Sequence, residues 1–196
     1  IDAAIAVNIV QGVVAPETCG IGGDLFALIW KDGEDKPYCL DSSGYAGTNV
    51  VDIDFSNLES LPLNHEATVT VPGAVKGWAE MHKKFGKLDF KILFEEAIKI
   101  CNEGFEITHE LNQSLTHHKE ALIKQDSSES FYLEGEPVQT GNIVTREKLG
   151  KTLSLIAENG PNIFYEGDIG EAISKATNNT LTIEDINNFN SSWIPP

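Results

Sequence analysis

The sequence predicts a mixed α+β protein in which helices outnumber strands. Residues 25–30, LFALIW, form an uninterrupted apolar run that is typical of a buried strand. Beyond residue 74, apolar side chains instead recur at the three- and four-residue spacing of helices, and Gly86, Gly104 and Gly160 follow three of these patterns as predicted helix ends. We therefore expect a short strand core early in the chain and a helical region after it.

The first predicted element is a helix over residues 1–11, which is rich in Ala, Ile and Val on nearly every side, as a buried helix should be. Gly12 is placed to end this helix, and Pro16 prevents its continuation. The early order of elements is then helix, glycine turn and strand. Phosphate-binding loops need the reverse order, so we do not expect a phosphate site here.

A hairpin is predicted next, because Asp32-Gly33 lies in a polar turn after the strand over residues 25–30. The second strand covers residues 38–41. Residues 41–47, DSSGYAG, leave this strand as a loop, and loops that leave a buried sheet often present functional groups.

Helices are predicted for most of the remaining chain. Thr182 and Asp185 resemble a capping box. Arg146, the only arginine, begins a helix whose periodicity predicts a surface position for it, and residues 162–165 are expected to be a short link. The apolar helical stripes fall within residues 75–85, 90–101, 111–122, 149–157 and 169–176, the last of them formed by Ile169, Ala172, Ile173 and Ala176.

Composition excludes several classes of protein. The 196 residues carry a formal net charge of −16, which disfavours nucleic acid and anionic membrane surfaces as partners. No apolar run approaches the roughly 18 residues of a membrane-spanning helix. Cys19, Cys39 and Cys101 form no CxxC pair, so free thiols are expected, with a slight preference for a cytoplasmic, reducing compartment.

The residues by themselves indicate no catalytic centre. Ser42 and Ser43 lack the flanking glycines of a nucleophile elbow. Cys19 has Glu17 and Asp24 near it in sequence but no cation, which favours a packing role. The five histidines show no metal-ligand spacing, so we expect no metal and no cofactor.

Several segments together indicate a family. The chain contains IDAAIAVNIVQGVV, APETCGIGGDLFALIW, VPGAVKGWAEMHKKF, TLSLIAENGPNIFYEGDIGEAI and LTIEDINNF, in this order. In order and spacing these resemble the large chain of the γ-glutamyltransferase family of N-terminal-nucleophile (Ntn) hydrolases. The resemblance covers residues 1–196 as part of a single large-chain domain and implies a helix-rich portion of a four-layer αββα sandwich. The sequence starts without Met inside a helical pattern and ends on SSWIPP, so we expect a longer protein.

The resemblance also implies a chemistry. Members of this family cleave themselves, and the Thr exposed at the start of the small chain is then both nucleophile and, through its amine, base. That region lies outside this sequence, so no catalytic residue is assigned here. The expected partners are the protein's own small chain and a small-molecule amide or γ-glutamyl substrate, with a homo-oligomer also possible.

One family feature is missing. The family carries an Arg for the substrate carboxylate in a D-x-R-E-T-A-P-like motif, and alignment on Asp41 and Ala46 places Ser43 at that position. We expect this loop to form the substrate-side wall and the glycine turn to support it by packing. Lys31 or Lys36 are possible substitutes for the charge. The predicted wall residues are Ser42, Ser43 and Tyr45, and the turn residues are Gly20, Gly22 and Gly23.

Three functions remain open at this stage. The leading one is an amidohydrolase or acyltransferase that acts on amides other than γ-glutamyl compounds. The second is true γ-glutamyl transfer or glutathione hydrolysis, with another cation holding the carboxylate. The third is an unprocessed, non-catalytic homologue that acts as a binding protein.

Overall fold

The structure, a computed structural model, describes residues 1–62, 64–125 and 128–196. Helices and short strands are mixed, which confirms the α+β class. The elements are α1 (Asp2–Val14), β1 (Leu25–Ile29), β2 (Tyr38–Ser42), α2 (Ala74–Phe85), α3 (Glu95–Glu103), β3 (Phe105–Glu106), α4 (His109–His117), α5 (Lys119–Leu122), β4 (Tyr132–Leu133), β5 (Glu136–Pro137), β6 (Ile143–Val144), α6 (Glu147–Asn159), α7 (Asn162–Tyr165), α8 (Gly167–Ala176), α9 (Ile183–Asn188) and β7 (Ser192–Ile194).

The chain divides into two compact units. The first contains residues 1, 21–87 and 159–196, and the second contains residues 2–20 and 88–158. The first unit therefore holds the hairpin, α2 and the C-terminal segment, and the second holds α1 and most of the central helices.

An antiparallel sheet in the order β1-β2-β7 is the centre of the first unit. Helix α2 packs on this sheet, and Leu40 of β2 and Trp78 of α2 are both buried. The opposite face is open: Phe26 is 69% exposed and Leu28 is 71% exposed. The expectation of a buried first strand is therefore wrong in detail: Leu25, Ala27 and Ile29 are half-buried and alternate with two exposed residues, because side chains point to opposite faces of a strand.

Two C-terminal elements differ from the expectation. Residues 162–165 form helix α7 and not a link. Residues 192–194 form β7, whose Ile194 pairs with Cys39 of β2, although the sequence indicated no element there. The capping box of Thr182 and Asp185 at the start of α9 is confirmed.

The buried face of α8 is also not the expected one. Gly170 and Ser174 are buried, whereas Ala172 and Ala176 are exposed and the two isoleucines are half-buried. A Cβ at Gly170 would lie 2.5 Å from the carbonyl oxygen of Tyr165. The backbone itself makes the close contact on this face, so small residues are required there.

In the second unit, α1 continues through Gly12 to Val14. Gly12 does not end the helix as expected. A Cβ there would lie 3.1 Å from the Cα of Gly20, so the glycine allows two backbone segments to approach closely. Helix α1 packs against α3 and against the 3-10 turn Phe90–Phe94 that precedes it.

The remaining strands of the second unit are short pairs. The sequence predicts residues 131–138 to be extended or turn-like, which agrees with β4 and β5, and it indicated no strand at β3 or β6. β3 pairs with β6, and β4 pairs with β5 through a turn at Glu134 and Gly135, whose φ angles are 52° and 82°. Helices α3 and α6 are followed by Gly104 and Gly160 as predicted, and both glycines have positive φ.

Within the described ranges, no helix is both long enough and apolar enough to span a membrane. All three cysteines are free thiols; Cys101 is buried, and Cys19 and Cys39 are half-buried. Burial raises the pKa of the Cys101 thiol to about 11.

Candidate functional site

Ser42, the last residue of β2, is fully buried at the start of the DSSGYAG loop. Its hydroxyl donates a 2.7 Å hydrogen bond to the carbonyl oxygen of Gly73 and lies 2.6 Å from the hydroxyl of Ser191. The side chain therefore links β2 to the residue before α2 and to the segment before β7. Its expected role as a substrate contact stays a prediction.

Ser43 is the residue that the alignment on Asp41 and Ala46 predicts at the position of the family's arginine. Its backbone N–H donates a 2.9 Å hydrogen bond to Oδ1 of Asp41, which fixes the start of the loop in a tight turn. The side chain is half-buried, and its hydroxyl forms no hydrogen bond with any residue in the described ranges. With respect to the described residues, this hydroxyl is thus able to hydrogen-bond another molecule.

Tyr45 is half-exposed, with 44% of its surface accessible, and its hydroxyl donates a 2.6 Å hydrogen bond to the carbonyl oxygen of Asp185. Its ring lies 6.1 Å from that of Phe189. Burial, and then the nearby charge of Asp185, raise the pKa of Tyr45 above its ordinary value. The phenol therefore stays neutral at physiological pH.

The backbone of the loop is pressed against the segment that precedes α2. The N–H of Val71 donates a 3.1 Å hydrogen bond to the carbonyl oxygen of Tyr45. A Cβ on Gly44 would lie 1.8 Å from the carbonyl oxygen of Val71, and one on Gly73 would lie 1.8 Å from that of Ser42. Gly73 of the VPG motif is therefore needed because this loop leaves no room for a side chain there. The sequence alone did not indicate this role.

The glycine turn is divided between the two units. The carbonyl oxygen of Gly23 accepts hydrogen bonds from the N–H groups of Gly73 and Ala74, at 3.0 and 2.9 Å. Gly22 has open space at its Cβ position. Gly20 belongs to the second unit, where it contacts Gly12. In the first unit, Gly23 therefore holds the start of α2, which also contacts the loop.

Asp185 is a residue that the sequence indicated only as a helix cap. It is buried and accepts hydrogen bonds from Thr182 N, from Thr48 N at 2.9 Å and from the hydroxyl of Thr48. Burial alone would raise the pKa of Asp185, but these hydrogen bonds outweigh it and lower the pKa. Asp185 thus joins the end of the loop to the start of α9.

The charge around the loop is negative. Asp24 accepts a 2.9 Å hydrogen bond from Gly44 N, and Asp41 and Asp185 bind backbone N–H groups on either side of it. No lysine or arginine of the described ranges forms a hydrogen bond or ion pair with residues 41–47. Lys31 pairs with Glu34 at 3.5 Å, and Lys36 is exposed. Of the described residues, no three His, Cys, Asp or Glu are grouped as a metal site requires.

Comparison with known proteins agrees with this architecture. The gamma-glutamyltranspeptidase family model matches residues 1–196. A glutathione hydrolase proenzyme of Bacillus subtilis is 30% identical over 198 residues, covering 96% of this chain and 34% of that protein. The structure of Helicobacter pylori gamma-glutamyltranspeptidase has a TM-score of 0.91 and 29% identity, covering all of this chain and 58% of that one.

A cephalosporin acylase from Bacillus halodurans is similar as well, with a TM-score of 0.88 and 29% identity over all of this chain and 38% of that one. The chain belongs to the gamma-glutamyltranspeptidase family, whose members include enzymes made as proenzymes. It spans about a third of the length of the curated relatives that it matches, from 30% to 38%.

Proposed function

We propose that this chain is part of the large chain of an Ntn amidohydrolase or acyltransferase whose substrate acyl group carries no carboxylate at the loop. The observation that carries this proposal is the charge of the DSSGYAG loop. Three carboxylates bind the loop and its flanks, and Ser43 supplies a neutral hydroxyl at the position of the family's arginine. An anionic group placed there would meet negative charge without a guanidinium to neutralise it.

The proposed reaction proceeds through an acyl-enzyme on an N-terminal Thr outside this sequence. The Thr hydroxyl attacks the amide carbon, and the Thr amine takes the hydroxyl proton and passes it to the departing amine. Water, or a second amine in a transfer reaction, then attacks the ester and frees the Thr. The cephalosporin acylase among the similar structures supports amide cleavage on a related scaffold.

The open face of the sheet supports a small chain as the proposed partner. Large apolar side chains are exposed there, and in the αββα sandwich that the family resemblance implies, a second sheet would cover such a face. The exposed fraction is more than 60% at each of Phe26, Leu28 and Trp30. Ile194 of β7 is 46% exposed and is in register with Leu28, because both residues pair with Cys39 of β2.

The first experiment is the intact mass of the full-length protein, with N-terminal sequencing of each fragment. We expect two chains, the smaller one beginning with Thr. A single chain that stays intact on long incubation would contradict the enzyme proposal and favour the non-catalytic, binding homologue.

The second experiment separates the substrate classes with a panel of γ-glutamyl amides and uncharged acyl amides. We expect a higher kcat/KM for the uncharged amides than for the γ-glutamyl amides. We expect Ser43→Ala to lower kcat/KM for the uncharged amides relative to the unaltered protein. Ser56→Ala is the matched control, because Ser56 also follows an Asp whose Oδ1 accepts its N–H. Equal loss in both variants would contradict a substrate role for Ser43.

True γ-glutamyl transfer is the second candidate function, and the similarity to the Helicobacter pylori enzyme favours it. It would require a cation that binds the substrate carboxylate. No lysine or arginine of the described ranges forms a hydrogen bond or ion pair with residues 41–47, so this cation would have to come from elsewhere in the full-length protein. The same panel decides between the two, because a preference for the γ-glutamyl amides would replace the first proposal with the second.

A further inference from the structure

A cavity of about 390 Å³ lies within the second unit, between the end of α1, helices α4 and α5 and the segment before β4. This volume is at the small end of the range for small-molecule sites, about 300–1,000 Å³. Its walls are mainly apolar. The apolar residues described there are Pro16, Leu111, Leu115, Ala121, Leu122 and Phe131.

Arg146 is the one lysine or arginine among the described residues that line the cavity, and it is half-buried and not at the surface as its helix periodicity had predicted. Nη1 of Arg146 donates hydrogen bonds to the carbonyl oxygens of Gly12 and Val13, at 3.0 and 3.1 Å. The guanidinium carbon also lies 5.2 Å from the ring centre of Phe131. The end of α1 and an aromatic face thus hold the guanidinium in place, and carbonyls at a helix C-terminus favour a cation.

These contacts use only one of the three guanidinium nitrogens. Nε and Nη2 donate no hydrogen bond to a residue of the described ranges, and Arg146 forms no ion pair with a carboxylate among them. Burial lowers the pKa of Arg146, and the nearby Cys101 thiol offsets this only in part. A guanidinium binds a carboxylate best through two parallel N–H groups, and Nε and Nη2, which donate to no described residue, can supply such a pair.

We propose that this cavity binds a small carboxylic acid with an apolar body, its carboxylate on Arg146 and its body against the leucines and Phe131. Among the described residues that line the cavity, the other ionisable groups are Glu17 and His118, both on exposed residues. A second carboxylate on the ligand would be repelled by Glu17 and would have no second guanidinium to bind. A monocarboxylate therefore fits the cavity best. This inference does not rest on the proposed amidohydrolase function.

The test is calorimetric titration of the full-length protein with octanoate, repeated with octanamide, which has the same chain without the charge. We expect saturable binding of octanoate and binding of octanamide that is weaker by about tenfold or more, because the neutral amide cannot form the charge-assisted, bidentate pair with the guanidinium. Arg146→Met should weaken octanoate binding by a similar factor. Equal affinity for octanoate and octanamide would overturn the proposal.

A pair of variants keeps the test independent of Arg146, whose loss also removes contacts to α1. Ser114 lines the cavity from α4, and Gln113, its exposed neighbour on the same helix, does not. We expect Ser114→Phe to abolish octanoate binding and Gln113→Phe to leave it unchanged. Equal binding in the two variants, or no octanoate binding by the unaltered protein at millimolar concentration, would refute the site.

Discussion

The hydroxyl of Tyr45 donates a 2.6 Å hydrogen bond to the main-chain carbonyl oxygen of Asp185, although the two residues are 140 positions apart in sequence. The bond joins the loop after β2 to the first turn of α9. At the same place, the Asp185 carboxylate binds Thr48 just beyond the loop. The loop is therefore held at its C-terminal end by a segment from the other end of the chain.

Removing this hydroxyl should loosen the loop. We expect Tyr45→Phe to lower the free energy of unfolding by about 0.5–1.5 kcal/mol, measured by urea denaturation, and to reduce kcat/KM for the amide substrate. Tyr132→Phe is the matched control, because Tyr132 also donates one hydrogen bond to a main-chain carbonyl, that of Leu115. An equal loss of kcat/KM in both variants would show that the Tyr45 hydroxyl has no specific role in the reaction.

The close packing of the loop predicts a steric effect at Gly44. We expect Gly44→Ala to destabilise the protein by about 1–3 kcal/mol, because the new methyl group would overlap the carbonyl oxygen of Val71. Gly22→Ala should be nearly neutral, since nothing lies within 4 Å of a Cβ there. Thermal unfolding of both variants measures the difference. A tolerated Gly44→Ala would mean that the loop can move away from Val71.

The hydrogen bonds to Asp185 predict a pH dependence of stability. The pKa of Asp185 is lower in the folded state than the value of about 3.9 for an unperturbed Asp. The unfolded chain therefore binds the proton first as the pH falls. The contribution of Asp185 is fully present above about pH 5 and is lost as the pH falls below about 4 towards the folded-state pKa.

Urea denaturation at several pH values between 3 and 7 tests this dependence. Asp185→Asn should be less stable at neutral pH and should show a shallower loss of stability on acidification. Asp168→Asn, an exposed acid in the first turn of α8, is the control. Parallel pH profiles for the original protein and Asp185→Asn would count against this assignment.

A buried tyrosine supports the start of α2. The hydroxyl of Tyr165 donates to the carbonyl oxygen of Pro72 at 2.8 Å and accepts from the N–H of Lys76 at 3.0 Å. We expect Tyr165→Phe to cost about 1–3 kcal/mol, because both backbone groups lose their partner. Tyr38→Phe should cost much less, since the Tyr38 hydroxyl forms no hydrogen bond within the described part of the chain. Guanidinium denaturation of the two variants provides the comparison.

Local patterns predicted the helices well. Helix α2 ends at Phe85 before Gly86, α3 ends before Gly104 and α9 begins with the Thr182–Asp185 capping box, all as expected. Each of these features depends on residues within a few positions of one another. The strands were harder: β7 pairs with β2, so Ile194 gains its partner, Cys39, from 155 residues away in sequence (194 − 39), and no local pattern in SSWIPP indicates that pairing.

The burial of single residues was decided by distant contacts. Periodicity placed Arg146 at the surface, but its guanidinium is held by the C-terminal carbonyls of α1 and lies over Phe131. The small residues Gly170 and Ser174 form the buried face of α8, because backbone at Tyr165 approaches Gly170 closely. Hydrophobicity alone cannot predict a contact of this kind, since it depends on the shape of the neighbouring segment.

The sequence by itself determined the family, the α+β class and the early hairpin, because these are recorded in residue types and their local order. Only the tertiary structure decided the surroundings of the DSSGYAG loop. It brought Asp24, Val71 and Asp185 against residues 44–48 and left one face of the sheet exposed. The charge and the packing around a site depend on residues from segments that are distant in sequence. They are therefore defined only once the chain has folded.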